Sequence, residues 1–367
     1  MKCKGCGQEK PFLSARLGYC VDCIREGREE ALERAHRIHA QGRIPYRLPP
    51  EVPRDPRGIE CNFCGNACRI PQGEKGFCGT KANQDGKLIH LVGDREKGKL
   101  HWYHDPLPTN CVAHWVCAGC SPAGYPQYSH APEAEYGYKN LAVFYASCTF
   151  DCLFCQNWSY KVTYAHGGSL VSAQELADQA LDPSTSCICF FGGDPSSQIL
   201  HALATSYEAL GKKDGILRIC WETNGSMSRK LLEQVIQLAL STGGTIKFDL
   251  KAWNPYLHRA LCGVDNQATL SNFHYVSHFI RERPEPPLLV ASTLLIPGYI
   301  DAQEVGAIAR FIASCHPSIP YSLLAFHPQH LMDDLPPTPR QWAEECVEAA
   351  REAGLERVHL GNIHLLW

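Results

Sequence analysis

The chain has 367 residues, of which 44% are apolar, and its formal net charge at neutral pH is −3. This length predicts one large domain with smaller additions, and this charge excludes the strongly basic field typical of a nucleic-acid-binding protein. The sequence has no run of roughly 18 apolar residues that would predict a membrane span, and its first residues lack the apolar core of a signal peptide. We therefore expect a cytoplasmic protein with no nucleic-acid or membrane partner.

The chain contains 20 cysteines. In a chain with no export signal, metal or cluster ligation explains so many thiols better than disulfide bonds do. Most of them fall into four groups before residue 156, and the others are scattered through the rest of the chain. We interpret the scattered ones as small core residues; they are Cys187, Cys189, Cys220, Cys262, Cys315 and Cys346.

The first cysteine group lies in residues 1–25 and has the pattern Cys3-x2-Cys6-x13-Cys20-x2-Cys23. Two CxxC pairs at this spacing are typical of a zinc ribbon, in which four thiolates hold one tetrahedral Zn2+. The metal would replace the apolar core that so short a segment cannot build. A rubredoxin-type iron site uses the same four sulfurs and remains the alternative.

Residues 26–57 are predicted to form a helix followed by a linker. The helix covers residues 27–42, with Leu32 and Ile38 on one apolar face. Five prolines follow before residue 58, and they favour an extended chain over a second helix.

Residues 58–138 form a second cysteine-rich region with little periodicity. Four possible ligands lie close together in the pattern Cys61-x2-Cys64-x3-Cys68-x9-Cys78. A set of four thiolates suits an auxiliary iron–sulfur cluster or zinc equally well, so both alternatives stay open.

The pattern Cys111-x5-Cys117-x2-Cys120 adds three more cysteines, with His114 beside them. His114 or another side chain can complete a four-ligand metal site, and the alternative is that His114 is a polar surface residue. The seven cysteines of this region can also share metals in a different pairing, which the spacing does not decide.

From residue 139 to residue 367 the pattern changes to alternating strands and amphipathic helices. This alternation predicts an α/β fold with a parallel sheet and right-handed crossovers, and six such units predict a partial (β/α)6 barrel. The predicted strands are residues 141–147, 187–193, 217–225, 245–253, 288–298, 321–327 and, as a further candidate, 358–362. The predicted helices are residues 172–181, 196–210, 228–240, 301–313 and 338–354.

The fourth cysteine group, Cys148-x3-Cys152-x2-Cys155, comes directly after the first predicted barrel strand. Active-site residues of β/α barrels lie at this end of the strands. Three thiolates close in sequence can hold three corners of a cubane cluster and leave the fourth iron open. An open metal position can bind a substrate or cofactor. The alternatives are a zinc site with a distant fourth ligand and unliganded cysteines.

The segment CTFDCLFCQNW at 148–158 resembles the CxxxCxxC signature of the radical S-adenosylmethionine (SAM) superfamily. The resemblance implies a [4Fe–4S] cluster on Cys148, Cys152 and Cys155 whose open iron is chelated by SAM. It further implies that the reduced cluster cleaves SAM to methionine and a 5′-deoxyadenosyl radical, which abstracts hydrogen from a substrate. The implied electron donor is of the flavodoxin or ferredoxin type.

Later motifs are similar to the pyruvate formate-lyase activating-enzyme branch of that superfamily: FFGGDP (190–195), ETNG (222–225), DLK (249–251), IPGYID (296–301) and FHP (326–328). In FFGGDP, the motif of the second predicted barrel strand, Asp194 stands where the family commonly has Glu. The resemblance implies that a set of residues contacts SAM, namely Gly192, Gly193, Asp194, Glu222, Asn224, Asp249, Lys251 and His327.

Residues 61–88 and 326–362 also resemble the two ends of AmmeMemoRadiSam-type radical SAM proteins, so the resemblance covers roughly residues 58–362. The first 55 residues have no counterpart in that family's pattern, and residues 111–137 depart from it. The implied function is radical modification of a protein, peptide or small molecule, with glycyl-radical activation as one such reaction. The alternatives are a non-catalytic zinc or iron–sulfur adaptor and an electron-transfer protein; the presence of the SAM-facing residues favours the enzyme.

Overall fold

The cysteine-rich first part of the chain forms short elements with little regular structure of their own. In the computed structural model, which describes residues 1–367, two helices come first, and two antiparallel hairpins and a long strand follow them. These elements are α1 (Val21–Arg25), α2 (Glu29–Arg43), β1 (Ile59–Cys61), β2 (Cys68–Ile70), β3 (Lys81–Gln84), β4 (Lys87–His90) and β5 (Lys97–Pro106).

The remainder of the chain alternates strands with amphipathic helices, as the sequence predicts. The elements are β6 (Lys139–Tyr145), α3 (Tyr160–His166), β7 (Leu170–Ser172), α4 (Ala173–Gln179), β8 (Thr185–Phe191), α5 (Ile199–Lys212), β9 (Arg218–Thr223), α6 (Arg229–Thr242), β10 (Ile246–Asp249), α7 (Pro255–Cys262), α8 (Gln267–Ser277), β11 (Leu289–Leu295), α9 (Ala302–Cys315), β12 (Tyr321–Ala325), α10 (Arg340–Glu352) and β13 (Val358–Gly361).

Nine of these strands form one sheet in the order β13-β12-β11-β10-β9-β8-β6-β5-β7. The strands from β13 to β6 in this order are parallel to their neighbours, whereas β5 is antiparallel to β6 and β7 is antiparallel to β5. Because β13 and β7 lie at opposite edges, the sheet is open. The predicted α/β class with an incomplete barrel is confirmed, and the further candidate strand at 358–362 is present as β13, the seventh parallel strand.

Strand β5 was not predicted, because its sequence KGKLHWYHDP does not alternate cleanly between apolar and polar residues. It pairs with β6 from Leu100 opposite Tyr145 to Pro106 opposite Lys139, and its first three residues pair with β7. The sheet therefore crosses the boundary predicted at residue 138.

The two faces of the parallel strands bury different residue types. Ile188 and Phe190 of β8 and Trp221 of β9 belong to the main apolar core of 67 buried residues, which includes the helices. Alternate residues point to the opposite face of a strand, and there Cys187, Cys189 and Cys220 form a separate buried cluster. The concave side of the sheet is therefore not the usual barrel interior of branched apolar side chains.

An irregular segment, residues 107–137, packs against this concave side. Its Glu135 carboxylate accepts hydrogen bonds from both terminal nitrogens of Arg218 on β9, at 2.9 and 2.6 Å. Trp115 donates its indole N–H to the Ser322 hydroxyl on β12 at 3.0 Å. These contacts explain how a segment without regular structure holds a defined position.

None of the helices combines the length and apolar character needed to cross a bilayer.

The Glu135–Arg218 pair supplies a stability test. Both side chains are at most 2% exposed, so Glu135→Ala would leave a buried guanidinium without its counter-ion. We expect a loss of about 3–5 kcal/mol in the free energy of unfolding, measured by chemical denaturation. The control is Lys139→Ala, which breaks a partly exposed pair with Asp182 and should cost about 1 kcal/mol or less. Equal effects of the two changes would contradict this account.

Candidate active site

The cysteine triplet lies in the loop that follows β6, at the carboxyl end of the parallel strands. The loop borders a cavity of about 180 Å3. Cys148, Cys152 and Cys155 all line this cavity. The structure thus brings the three predicted cluster ligands to one opening.

The middle of this loop is held by the buried carboxylate of Asp151. It pairs with His39 Nδ1 at 2.8 Å, Arg43 Nη1 at 3.1 Å and Lys161 Nζ at 2.6 Å. Burial alone would raise the pKa of Asp151, but the His39 hydrogen bond and the charges of Arg43 and Lys161 hold it well below its usual range. Since His39 and Arg43 belong to α2, the additional N-terminal segment helps to position the triplet loop.

The backbone of the same loop is tied to the end of α7. Asp151 N–H donates to the Cys262 carbonyl and Leu153 N–H to the Leu261 carbonyl, both at 2.9 Å. A hydrogen bond with the Cys262 thiol lowers the pKa of Cys152. Cys262, interpreted from sequence as a core residue, is therefore a neighbour of a predicted ligand.

The three thiols of the triplet have the properties of ligands for a group of metal ions. Burial raises the pKa of Cys148 well above its ordinary value and that of Cys155 to about 12. Thiols in such surroundings become thiolates when a metal supplies the compensating positive charge. Their sulfurs do not all lie within 4.8 Å of one another, as the ligands of a single tetrahedral ion would.

The glycine pair after β8 allows two strand ends to come together. Gly193 has φ +50°, and a Cβ atom there would collide with the carbonyl oxygens of Tyr145 and Ser147. Asp194 N–H donates to the Ser147 carbonyl at 2.8 Å. Glycine at this position therefore lets the β8 end contact the triplet loop.

Asp194 links the ends of β8 and β9. Its carboxylate accepts hydrogen bonds from Ser196 N–H at 2.8 Å, Asn224 N–H at 2.6 Å and the Thr223 hydroxyl at 3.1 Å. Asn224 in turn donates its side-chain amide to the Thr149 hydroxyl at 2.8 Å. Asp194 is 2% exposed, so its main contacts are within the protein.

Strands β9 and β10 contribute charged groups to the cavity wall. Lys251 Nζ lies 2.6 Å from Asp249 Oδ2, and Ser292 donates its hydroxyl to the other Asp249 oxygen at 2.8 Å. Burial opposes the ammonium form of Lys251, but the charges of Asp249 and Cys152 outweigh burial and raise its pKa. Burial raises the pKa of Glu222 against the opposing charge of Lys247.

The cavity collects nearly all of the predicted SAM-contact residues. It is lined by Gly192, Gly193, Asp194, Glu222, Asn224, Asp249 and Lys251. His327 is exposed and lies outside the cavity lining.

Several cavity residues were missed by the sequence analysis. Ser292, Thr293 and Leu294 lie near the end of β11, and Leu324 lies near the end of β12, where the rule that barrel sites form at strand ends could have indicated them. Val112 comes from the irregular segment and carried no sequence signal.

A second cavity, of about 410 Å3, adjoins the first. The two share Val112, Gln156, Asn157, Glu222 and Leu324 in their walls. The second cavity is also lined by Tyr103, Asp105, His114, Phe144, Phe191 and His359. A molecule in the second cavity would thus lie next to the opening that holds the triplet.

The N-terminal cysteine group converges as the zinc-ribbon pattern predicts. The sulfurs of Cys3, Cys6, Cys20 and Cys23 all lie within 4.8 Å of one another. The Cys3–Cys23 and Cys6–Cys20 separations are 3.7 and 3.8 Å, and sulfurs bound to one tetrahedral zinc at 2.3 Å are expected about 3.8 Å apart. This group can hold a single metal ion.

The second group does not form so tight a set. The sulfurs of Cys61, Cys64, Cys68 and Cys78 are not all within 4.8 Å of one another. Burial raises the pKa of Cys61, Cys64 and Cys68, and the charge of Cys78 adds to the effect. The four thiols are therefore close enough for their charges to influence one another. Their sulfurs are more widely spaced than a single metal ion requires.

The loop that carries Cys64 is attached to the active-site loops. Gly65 N–H donates to the Ser226 carbonyl at 2.7 Å, and the Asn66 side-chain amide donates to the Thr149 carbonyl at 2.6 Å. Thr149 follows Cys148 directly, so this second cysteine group is in contact with the triplet loop.

In the third group, His114 contacts a backbone carbonyl and a second histidine. Its Nδ1 lies 2.8 Å from the Cys111 carbonyl oxygen, and its ring packs edge-on against His359 at a centroid distance of 5.4 Å. The Cys111 sulfur lies 2.9 Å from Lys247 Nζ, and the three sulfurs of this group are not within 4.8 Å of one another.

Comparison with known proteins agrees with this geometry. The model of the Radical SAM superfamily matches residues 142–312, which run from β6 to α9 and include the triplet. An uncharacterized protein of Methanocaldococcus jannaschii is 22% identical over 317 residues, covering 84% of this chain and 83% of that protein.

Two named enzymes match a shorter part of the chain. The isethionate sulfite-lyase activating enzyme of Desulfovibrio desulfuricans is 32% identical over 137 residues, which are 37% of this chain and 40% of that enzyme. The pyruvate formate-lyase 1-activating enzyme of Escherichia coli K12 is 30% identical over 142 residues, which are 37% of this chain and 54% of that enzyme. The chain thus spans about half or less of these two relatives. Residues 142–312, which contain the clustered triplet, thus match the radical SAM superfamily, and this match supports an enzyme of the radical SAM kind.

Proposed function

We propose that the chain cleaves SAM reductively with a [4Fe–4S] cluster on Cys148, Cys152 and Cys155. The observation that carries the proposal is the opening of all three thiols onto one cavity with Asn224, Asp249 and Lys251 in its walls. When bound, the cluster and SAM together supply a 5′-deoxyadenosyl radical that abstracts hydrogen. The superfamily that residues 142–312 match implies both cofactors.

The charged residues of the cavity suit the polar groups of SAM. The Lys251 ammonium can bind a carboxylate, and the Asp249 carboxylate can accept hydrogen bonds from an ammonium or from ribose hydroxyls. Their separation of 2.6 Å and the Ser292 hydrogen bond to Asp249 hold both groups in place. We propose that Asp194 acts by positioning Asn224, because its own carboxylate is occupied by internal hydrogen bonds.

We propose that the substrate enters the second cavity, since hydrogen abstraction requires the substrate to lie beside SAM. Its wall combines aromatic rings with Asp105, Glu222, His114 and His359, which can bind a polar group of a protein segment, a peptide or a small molecule. The names of the two activating enzymes support a protein target, with glycyl-radical activation as the specific reaction. An electron donor of the flavodoxin or ferredoxin type would reduce the cluster.

We propose two further metal sites. Zn2+ is the expected occupant of the N-terminal group, because its four sulfurs already have the separations of one tetrahedral ion. An auxiliary iron–sulfur cluster is the expected occupant of Cys61, Cys64, Cys68 and Cys78, because their wider spacing suits several metal atoms. Residues 1–25, 26–57, 58–138 and 139–367 remain the proposed divisions of the chain.

The first test is formation of 5′-deoxyadenosine. Anaerobically reconstituted protein with dithionite and SAM should release it, and Cys152→Ala should reduce the rate to background because one cluster ligand is lost. The matched control is Cys315→Ala, since Cys315 lies at the end of α9 and should keep the wild-type rate. Activity in the Cys152→Ala protein would show that the cluster assignment is wrong, and an adaptor or electron-transfer protein would form no product in any variant.

Metal content tests the two further sites. Cys6→Ser should remove one zinc ion per chain and leave iron unchanged, whereas Cys64→Ser should lower iron and leave zinc unchanged. Elemental analysis of anaerobically purified protein measures both. If Cys64→Ser lowers zinc instead, the iron–sulfur assignment of the second group is replaced by zinc.

The third test concerns the support of the triplet loop. Asp151→Asn keeps the side-chain shape but removes the charge that neutralises Arg43 and Lys161. We expect a loss of about 3–5 kcal/mol in the free energy of unfolding and a lower iron content after reconstitution. Asp265→Asn, at an exposed position near α7, is the control. Wild-type stability and iron content in Asp151→Asn would contradict the proposed support.

A further inference from the structure

Three cysteines that the sequence analysis interpreted as core residues converge on the concave side of the sheet. Cys187 and Cys189 lie on β8 and Cys220 lies on β9, and all three are buried in one cluster with Leu107. In the parallel register, Cys189 is directly opposite Cys220. Neighbouring strands therefore present a row of thiols.

The irregular segment adds thiols from the opposite side of the same space. Cys120 packs against the buried cluster of Cys187, Cys189 and Cys220. Cys117 and Cys120 are held in one turn, in which Cys120 N–H donates to the Cys117 carbonyl at 3.2 Å, and Cys189 is paired with Cys220 across β8 and β9. Two pairs of thiols, one from the segment and one from the sheet, therefore lie together inside the barrel.

Two buried cations accompany these thiols. Arg218 and Lys247 are 1% and 2% exposed. The guanidinium is neutralised by Glu135, but the Lys247 ammonium lies 2.9 Å from Cys111 Sγ and 3.5 Å from Glu222 Oε1. A buried ammonium needs an anionic partner, and thiolates in this space would provide negative charge. Barrel interiors are ordinarily filled with branched apolar side chains. Apolar packing therefore does not explain why thiols and two cations occupy this interior.

We propose that Cys117, Cys120, Cys189 and Cys220, here called the interior cysteine cluster, bind a thiophilic metal centre. Thiolates of this kind are ligands for iron–sulfur clusters and zinc. No three of these sulfurs lie within 4.8 Å of one another, so a polynuclear iron–sulfur cluster fits them better than a single tetrahedral zinc ion. The site takes its ligands from the third cysteine group and from two barrel strands, so no continuous sequence motif describes it.

The position of the interior cysteine cluster relates it to the second cavity. Cys111, which contacts Lys247, lines that cavity, as does Glu222. A metal centre at the interior cysteine cluster would therefore lie close to the wall of the proposed substrate cavity. Binding of the metal itself does not depend on the proposed SAM chemistry.

The test compares metal content in full-length, anaerobically purified protein. A Cys189→Val and Cys220→Val double variant keeps the apolar packing of the strands but removes two ligands. We expect it to lose on the order of two to four iron atoms per chain relative to wild type, or one zinc ion if the centre is zinc; either loss supports the site. The matched control is Cys346→Val on α10, because Cys346 is also buried but belongs to the main apolar core and not to the cluster of Cys187, Cys189 and Cys220.

Cys117→Ser is a second variant on the other side of the site, where it leaves the sheet unchanged. It should lose the same metal as the double variant. Its metal content therefore tests the site even if the strand variant does not fold. Wild-type iron and zinc in Cys117→Ser would overturn the proposal. The triplet is intact in both variants, so both should still form 5′-deoxyadenosine. If they do and their metal content is that of wild type, the interior cysteine cluster is overturned while the triplet assignment stands.

Discussion

The buried carboxylate of Asp151 is the contact on which the arrangement of the active site depends. It lies within the triplet motif itself, and its partners His39, Arg43 and Lys161 come from two different helices, α2 and α3. Removing any of these charges from water is unfavourable unless all are paired. The loop, the N-terminal helix α2 and the helix after the loop must therefore fold together.

The concave side of the sheet is organised by a similar constraint. Arg218 and Lys247 occupy strand positions that ordinarily carry apolar side chains in a barrel, so each needs a polar or charged partner. The sheet itself offers Lys247 only Glu222 of β9, at 3.5 Å. Glu135 and Cys111 are supplied by residues 107–137. This explains why an irregular segment replaces apolar packing there, and why it brings thiols into the interior. The same segment contributes Val112 to both cavities, so it shapes the proposed SAM and substrate sites as well.

The cysteine groups differ in how far their local spacing determines a site. The N-terminal group converges within 4.8 Å because two CxxC turns need no other part of the chain to face each other. The thiols of the other groups are brought together, or kept apart, by strands and loops distant in sequence. His114 illustrates the point, because it is close to Cys111 in sequence but packs against His359 on another element.

The sequence by itself determined the α/β class, the order of strands and helices from residue 139, and the triplet with its neighbours at the strand ends. Local periodicity and short motifs carry that information, since parallel strands always end at the same edge of a sheet. Tertiary structure decided what local patterns cannot express. The irregular sequence of β5 forms a strand because β6 offers an unpaired edge. His327 lies outside the cavity, although its motif predicted a place beside SAM. Cys189 and Cys220 become neighbours through strand register. In each case the physical reason is that buried charges and thiols acquire their partners only when distant segments pack together.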